Sequence, residues 1–176
     1  MDFEEKTVSS RAIFQGKIIK LRVDTVVLPD SRQSTREVVE HAGAVAIVAL
    51  DENQNIIMVR QYRKPVEEVL LEIPAGTLEA NEDPLLCAQR ELQEETGFTA
   101  EHWQKILAYY SAPGFCNERL HLYLASGLHP GEGHTDDDEF IEMVRIPLQD
   151  AYQLIFTGKI QDGKSIIGLQ YACRQA

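Results

Sequence analysis

The 176-residue chain contains no apolar stretch long enough to span a bilayer, and its start, MDFEEKTVSS, lacks the basic residues and apolar run of a secretory signal. Neither membrane insertion nor export is expected. Cysteine is scarce: Cys87, Cys116 and Cys173 are odd in number, widely separated and form no CxxC pair. That usage excludes a disulfide framework and a thiolate zinc site, and a reducing, cytoplasmic setting is the expectation. Positive charge is also short, with 17 Lys and Arg against 28 Asp and Glu and a net charge of −11. Nucleic acid and membrane surfaces are themselves anionic, so neither is an expected partner. No internal repeat, low-complexity linker or composition break divides the chain, and one domain with a sizeable core is expected.

What is present begins with β-structure. Residues 1–42 carry alternating apolar positions at Ile18, Leu21, Val23 and Val26, a turn at Pro29-Asp30 and a returning TREVVEH. This N-terminal segment reads as an antiparallel sheet of its own, whose edges invite pairing with the rest of the domain or with a second subunit. Residues 43–176 read as the main domain. AVAIVAL after Gly43 suits a buried strand, IIMVRQYRK follows a turn, and VLLEIPAG makes a short strand. A helix is predicted from Pro84, with Asp83 as N-cap, LLCAQRELQEET at helical spacing and Gly97 as terminator. Cys87 falls among its apolar positions. Beyond it, KILAYYSA and LHLYLA read as a hairpin-like pair, GLHPGEGHTDDDE as a polar loop and FIEMVRIP as a strand. Two short helices close the chain, near 148–156 and 164–174.

The helix concentrates chemistry. Glu91, Glu94 and Glu95 share one face, because residues three and four apart are neighbours on a helix. Two carboxylates about 4 Å apart repel by about 1 kcal/mol in water and about 4 kcal/mol at an effective dielectric of about 20. A divalent cation reverses the sign of that term, and clustered hard oxygens favour Mg²⁺ or Mn²⁺. A bare ExxEE is more often a solvated acidic face. Its surroundings weigh against that here: Gly76 allows close backbone approach, the loop to Glu82 folds toward the helix start, and Arg90 is placed to hold a carboxylate.

Gly76, Glu82, Arg90, Glu91, Leu92, Glu94, Glu95, Gly97 and Phe98 match every defined position of GX₅EX₇REUXEEXGU, and the stretch resembles the box of Nudix hydrolases. The resemblance implies an α/β/α sandwich around a mixed sheet and hydrolysis of a nucleoside diphosphate linked to another group. It makes Glu91 and Glu95 metal ligands, Glu94 a ligand or catalytic water contact, and the Ala75 carbonyl a further ligand. Gly76, Glu82 and Arg90 become supporting residues, and two or three Mg²⁺ or Mn²⁺ ions the cofactor.

Outside the box, SAPGFCNE resembles the SPG element of the ADP-ribose pyrophosphatase branch, as do REVVEHAGAVAIVAL, IIMVRQYRKPVEEVLLEIPAG and SIIGLQYA their counterparts there. This implies substrate contacts from Pro113, Gly114 and Glu118, and arginines at Arg36 and Arg63 to hold the diphosphate. It also implies a homodimer built on the N-terminal sheets, with Phe14 and Tyr62 as candidates to stack on adenine. The acidic run at Asp136 to Glu139 resembles a loop carrying a catalytic glutamate, best matched by Glu139, with Asp137 as the alternative. The expected reaction is ADP-ribose and water to AMP and ribose 5-phosphate. Hydrolysis of another sugar nucleotide such as GDP-mannose is the alternative. A regulator that binds ADP-ribose without cleaving it is disfavoured, because all the box carboxylates are present.

Overall fold

Apolar and polar residues alternate through the first forty residues, and three strands form there in the computed structural model, which describes residues 3–133 and 140–175. They are β1 (Lys6–Gln15), β2 (Ile19–Val27) and β3 (Gln33–His41), antiparallel in the order β1-β2-β3. The β2–β3 turn closes by a hydrogen bond from Leu28 N–H to the Arg32 carbonyl at 2.8 Å.

The chain divides into two compact units, Met1–Gly43 with Tyr109–Arg119, and Ala44–Ala108 with Leu120–Ala176. Sequence reading placed 109–119 with the main domain. Within the first unit this loop is held by β3: Val39 N–H donates to the Phe115 carbonyl at 2.8 Å, and Asn117 N–H donates to the Val39 carbonyl at 3.1 Å. His41 N–H donates to Asn117 Oδ1 at 2.9 Å.

The second unit is built from β4 (Ala44–Leu50), β5 (Asn55–Arg63), β6 (Glu68–Glu72), β7 (Ala75–Thr77), α1 (Pro84–Thr96), β8 (Phe98–Tyr110) up to Ala108, β9 (Arg119–Pro130) from Leu120, β10 (Ile141–Pro147), α2 (Leu148–Phe156) and α3 (Gly163–Gln175). Its sheet runs β10-β5-β4-β9-β8, with β6 on β5 and β7 on β4. β4 lies parallel to β9 and antiparallel to β5 and β7, so the sheet is mixed. β4 is buried from Ala44 to Ala49, and its side chains alternate between two helical layers. Val45, Ile47 and Ala49 pack with Cys87, Ala88 and Leu92 of α1. On the other face, Gly168 of α3 lies so near Val48 that a side chain there would meet Val48 Cγ2 at 2.8 Å. Each fully buried Val, Ile or Leu contributes about 1.5–3 kcal/mol, and this double layer is where the core sits. The result is the α/β/α sandwich anticipated from the sequence.

Two strands run longer than their sequence patterns suggest. β8 begins at Phe98, directly after the helix, and β9 continues through Gly127 to Pro130, where a loop was expected. Phe98, Ala100, Trp103 and Leu128 of these extensions pack on the core, but the intervening polar positions and Gly127 break the apolar alternation that marks a half-buried strand. His129 and Glu101 pair across them at 2.7 Å.

Candidate active site

The site grows from the turn between β7 and α1. Asp83 takes an extended backbone, and its Oδ1 accepts from Leu85 N–H at 2.9 Å and Leu86 N–H at 3.3 Å, with Pro84 in the first turn. Gly97 ends the helix at φ 72°, with its N–H on the Gln93 carbonyl at 2.8 Å. A helix fixed at both ends presents Glu91 and Glu95 to β7.

Glu91 explains the glycine at position 76. A Cβ added there would lie 1.8 Å from Glu91 Cδ and 1.9 Å from Oε1, so the carboxylate occupies the space a side chain would need. Gly76 lies in β7 and has no positive φ. The residue is needed for its missing side chain, not for unusual backbone freedom. Glu95 is 8% exposed, and its Oε2 accepts from Ala75 N–H at 3.0 Å.

Arg90 organises the remaining carboxylates. Its Nε and Nη2 donate to Glu82 Oε1 and Oε2 at 3.1 and 3.2 Å, while Nη1 reaches Glu91 Oε1 and Glu94 Oε2, both at 2.8 Å. One guanidinium thus relieves the repulsion among three carboxylates. Its hydrogen bonds hold the Glu82 carboxyl down to about 2 against an ordinary 4.5, assisted by the Glu79 N–H at 2.9 Å. Burial pushes the Cys87 thiol up to about 12, and it stays a neutral core group beside Arg90, with Nη2 at 3.4 Å.

A depressed folded-state pKa stabilises above the unfolded value and loses that contribution as pH falls through the folded value. The stabilisation from Glu82 is therefore complete above about pH 4.5 and disappears toward about pH 2. Glu82→Gln is expected to flatten the fall in stability between about pH 5 and about pH 3, compared by urea unfolding at each. Equal losses in variant and wild type would contradict this account of Glu82.

The other sequence-predicted residues divide between the two units. In the first, Arg36 pairs with Glu5, its Nε donating at 2.7 Å, while Nη1 donates to the Thr35 carbonyl at 2.9 Å. Arg36, Pro113 and Gly114 line a cavity of about 460 Å³ together with Tyr110 and Phe115. A side chain at Gly114 would meet nothing within 4 Å, so the loop is open there. Glu118 lies 3.5 Å from His41 Nδ1, a nitrogen that accepts the Gly43 N–H at 3.0 Å. Phe14 is 55% exposed. In the second unit, Arg63 is bound bidentately to Glu72 with both contacts at 2.8 Å, and Tyr62 is exposed. Glu139 and Asp137 lie outside the described residues.

Sequence reasoning missed Glu72, Asp162, Lys164 and Ser165, which interlock beneath the turn. The only signals in the sequence are Glu72 in LLEIPAG and Ser165 at the head of SIIGLQYA, two segments that resemble family counterparts and carry no chemical motif.

With the box geometry in place, comparison with known families decides the assignment. The NUDIX domain matches residues 40–167. The chain belongs to the Nudix family. Residues 5–39 of this Nudix protein match the nucleoside diphosphate sugar hydrolase N-terminal domain, so it is an enzyme of nucleoside diphosphate sugars. The methanol dehydrogenase activator of Bacillus methanolicus is 46% identical, covering 96% of this chain and 92% of that protein. The ADP-ribose pyrophosphatase of Bacillus subtilis is 46% identical with the same coverage. That of Mycobacterium tuberculosis is 44% identical over 96% of this chain and 82% of its own length. A crystal structure of an ADP compounds hydrolase shares the fold at a TM-score of 0.86 and 20% identity, covering 99% of this chain and 95% of that one.

Nudix pyrophosphatases generally use divalent metals, and the donors here suit one. All are hard oxygens, and the cradle left open by Gly76 is filled by a carboxylate beside the buried Glu95. Among the described residues no three acidic, His or Cys side chains already converge on one ion position. Arg90 stands between Glu91 and Glu94 and holds both. Among the described residues, no helix is long and apolar enough to cross a membrane.

Proposed function

We propose that the protein hydrolyses the diphosphate of ADP-ribose, giving AMP and ribose 5-phosphate with Mg²⁺ or Mn²⁺, two or three ions per site. One observation carries the reaction class: Glu91 and Glu95 stand against Ala75 and Gly76 of β7 with every box position intact. The substrate is supported by relatives named ADP-ribose pyrophosphatase at 46% and 44% identity over nearly the whole chain.

In this reading Glu91, Glu95, Glu94 and the Ala75 carbonyl hold the metal. The bound ions supply a Lewis acid that offsets phosphate charge and acidifies water. Arg90 keeps Glu91 and Glu94 in register, with Glu82 as its anchor. Glu94 doubles as a catalytic water contact, and Glu139 is assigned the general base, a role worth about 10²–10⁴-fold when the group is well placed. Arg36, Pro113, Gly114 and Glu118 are assigned to substrate recognition in the first unit. Arg63 has the same assignment in the second, through the guanidinium nitrogen that Glu72 leaves over.

A homodimer belongs to the same proposal. β1 is exposed along its whole length, and Val8, Ile13, Phe14 and Ile18 present apolar surface on a three-stranded sheet that buries little of its own. Sedimentation at the mass of two 19.9 kDa chains is expected, and a single-chain mass would contradict it. The unpaired Cys87, Cys116 and Cys173 suit a reducing cytoplasm.

Relatives named GDP-mannose pyrophosphatase, at 35% identity over 81% of the chain, define the competing substrate. Incubation with ADP-ribose, ADP-glucose and GDP-mannose under Mg²⁺, with products separated by chromatography, is expected to show fastest turnover of ADP-ribose. Faster cleavage of GDP-mannose would replace the substrate while keeping the reaction class.

A further inference from the structure

The segment entering the catalytic turn, Ile73 to Ala75, is tied at each residue to a different element. The Pro74 carbonyl accepts from Ile47 N–H of β4 at 2.8 Å, and Ala75 N–H donates to Glu95 of α1 at 3.0 Å. The third tie crosses 92 residues of sequence: Ile73 N–H donates to the Ser165 hydroxyl of α3 at 2.8 Å. Ser165 is 0% exposed, and its own hydroxyl proton is committed to Asp162 Oδ2 at 2.6 Å. That commitment leaves the oxygen as an acceptor aimed at the Ile73 amide.

Asp162 Oδ2 also lies 3.1 Å from Lys164 Nζ, and Lys164 donates to Glu72, the residue before Ile73. The Glu72 side chain is 2% exposed and is held from the other side by Arg63. Two cations and two carboxylates balance in this network. Buried ion pairs rarely add net stability over apolar packing, so their value here lies in fixing one arrangement of the chain.

We propose that Ser165 is a positioning residue for the metal-binding turn, fixing through the Ile73 amide where Ala75 and Gly76 stand against Glu95 and Glu91, with Lys164 locking the adjacent Glu72. The proposal deepens the Nudix reading above and rests on it. α3 is thereby part of the site's scaffold as well as a cover for the sheet.

The test measures Mn²⁺ binding to the folded full-length chain without substrate, from the electron paramagnetic resonance signal of free Mn²⁺. Ser165→Ala removes the acceptor without changing charge and is expected to weaken binding by about tenfold, as losses of supporting partners do. Lys164→Met is the second variant, in case Ser165→Ala fails to fold. Coulomb's law alone predicts tighter cation binding when a nearby positive charge is removed. Weaker binding, by about threefold or more, is expected instead, because position outweighs charge. Ala172→Gly loosens the same helix away from the network and is expected to stay within about twofold of wild type. Wild-type binding in either network variant, or equal weakening in Ala172→Gly, would overturn the proposal. ADP-ribose turnover is followed on the same samples. Weakened Mn²⁺ binding in the variants of a protein that does not cleave ADP-ribose would sink the substrate reading and leave the positional role standing.

Discussion

Gly76→Ala is expected to lower kcat by at least about 100-fold while leaving the protein folded, because a displacement of about 1 Å at a reacting centre has that effect. The added methyl carbon would meet the Glu91 carboxylate at 1.8–2.3 Å, and that carboxylate is the far end of a flexible side chain, held by Arg90 at 2.8 Å. It swings aside at little cost to the fold. Gly76 sits in β7 without positive φ, so alanine fits the backbone and narrows the unfolded ensemble, a gain of about 0.4–1 kcal/mol where no strain opposes it. Activity and stability are therefore expected to move apart. Thermal unfolding within a few degrees of wild type, with activity lost, supports this account of Glu91. A fully active Gly76→Ala would show that the Glu91 position is unimportant.

Glu95→Gln carries the second large effect. The substitution keeps the volume of a side chain only 8% exposed, and its carbonyl oxygen can still accept the Ala75 N–H, so the turn keeps its shape. What goes is the negative charge. Removing a partner that merely supports a metal ligand costs about 10–100-fold, and loss of the ligand itself is expected to cost at least about 100-fold in kcat/KM. The Mg²⁺ concentration needed for half activation is expected to rise as well. An unchanged Mg²⁺ titration would remove Glu95 from the metal ligands.

The two substitutions also mark where sequence reading reached and where it stopped. The ends of α1 were legible, because Asp83 and Gly97 act through hydrogen bonds to residues two to four positions away and Pro84 through its own fixed φ. The shared face of Glu91, Glu94 and Glu95 was legible for the same reason, since helical spacing alone puts them together. β4 announced itself by an unbroken apolar run, which two covering helical layers require. Gly76 was read as allowing close approach to the backbone, but the group that approaches it is a carboxylate fifteen residues on, and no spacing rule gives that distance. The Ser165–Ile73 bond spans 92 residues and could not be inferred from local pattern. The resemblance implies a diphosphate contact for Arg63, whereas the bidentate hold on Glu72 that the structure shows depends on β6 folding back along β5. The tie of the 109–119 loop to β3 was not legible for a related reason: it runs through backbone hydrogen bonds to Val39, which no side-chain pattern marks.

The most direct measurement follows wild-type protein with ADP-ribose, first with Mg²⁺, then with excess chelator, then with Mg²⁺ restored, identifying products at each stage. AMP and ribose 5-phosphate in equal amounts are expected with the metal, none after chelation, and full recovery on restoration. Metal-independent cleavage, or ADP-ribose left intact under Mg²⁺ and Mn²⁺ alike, would contradict the account.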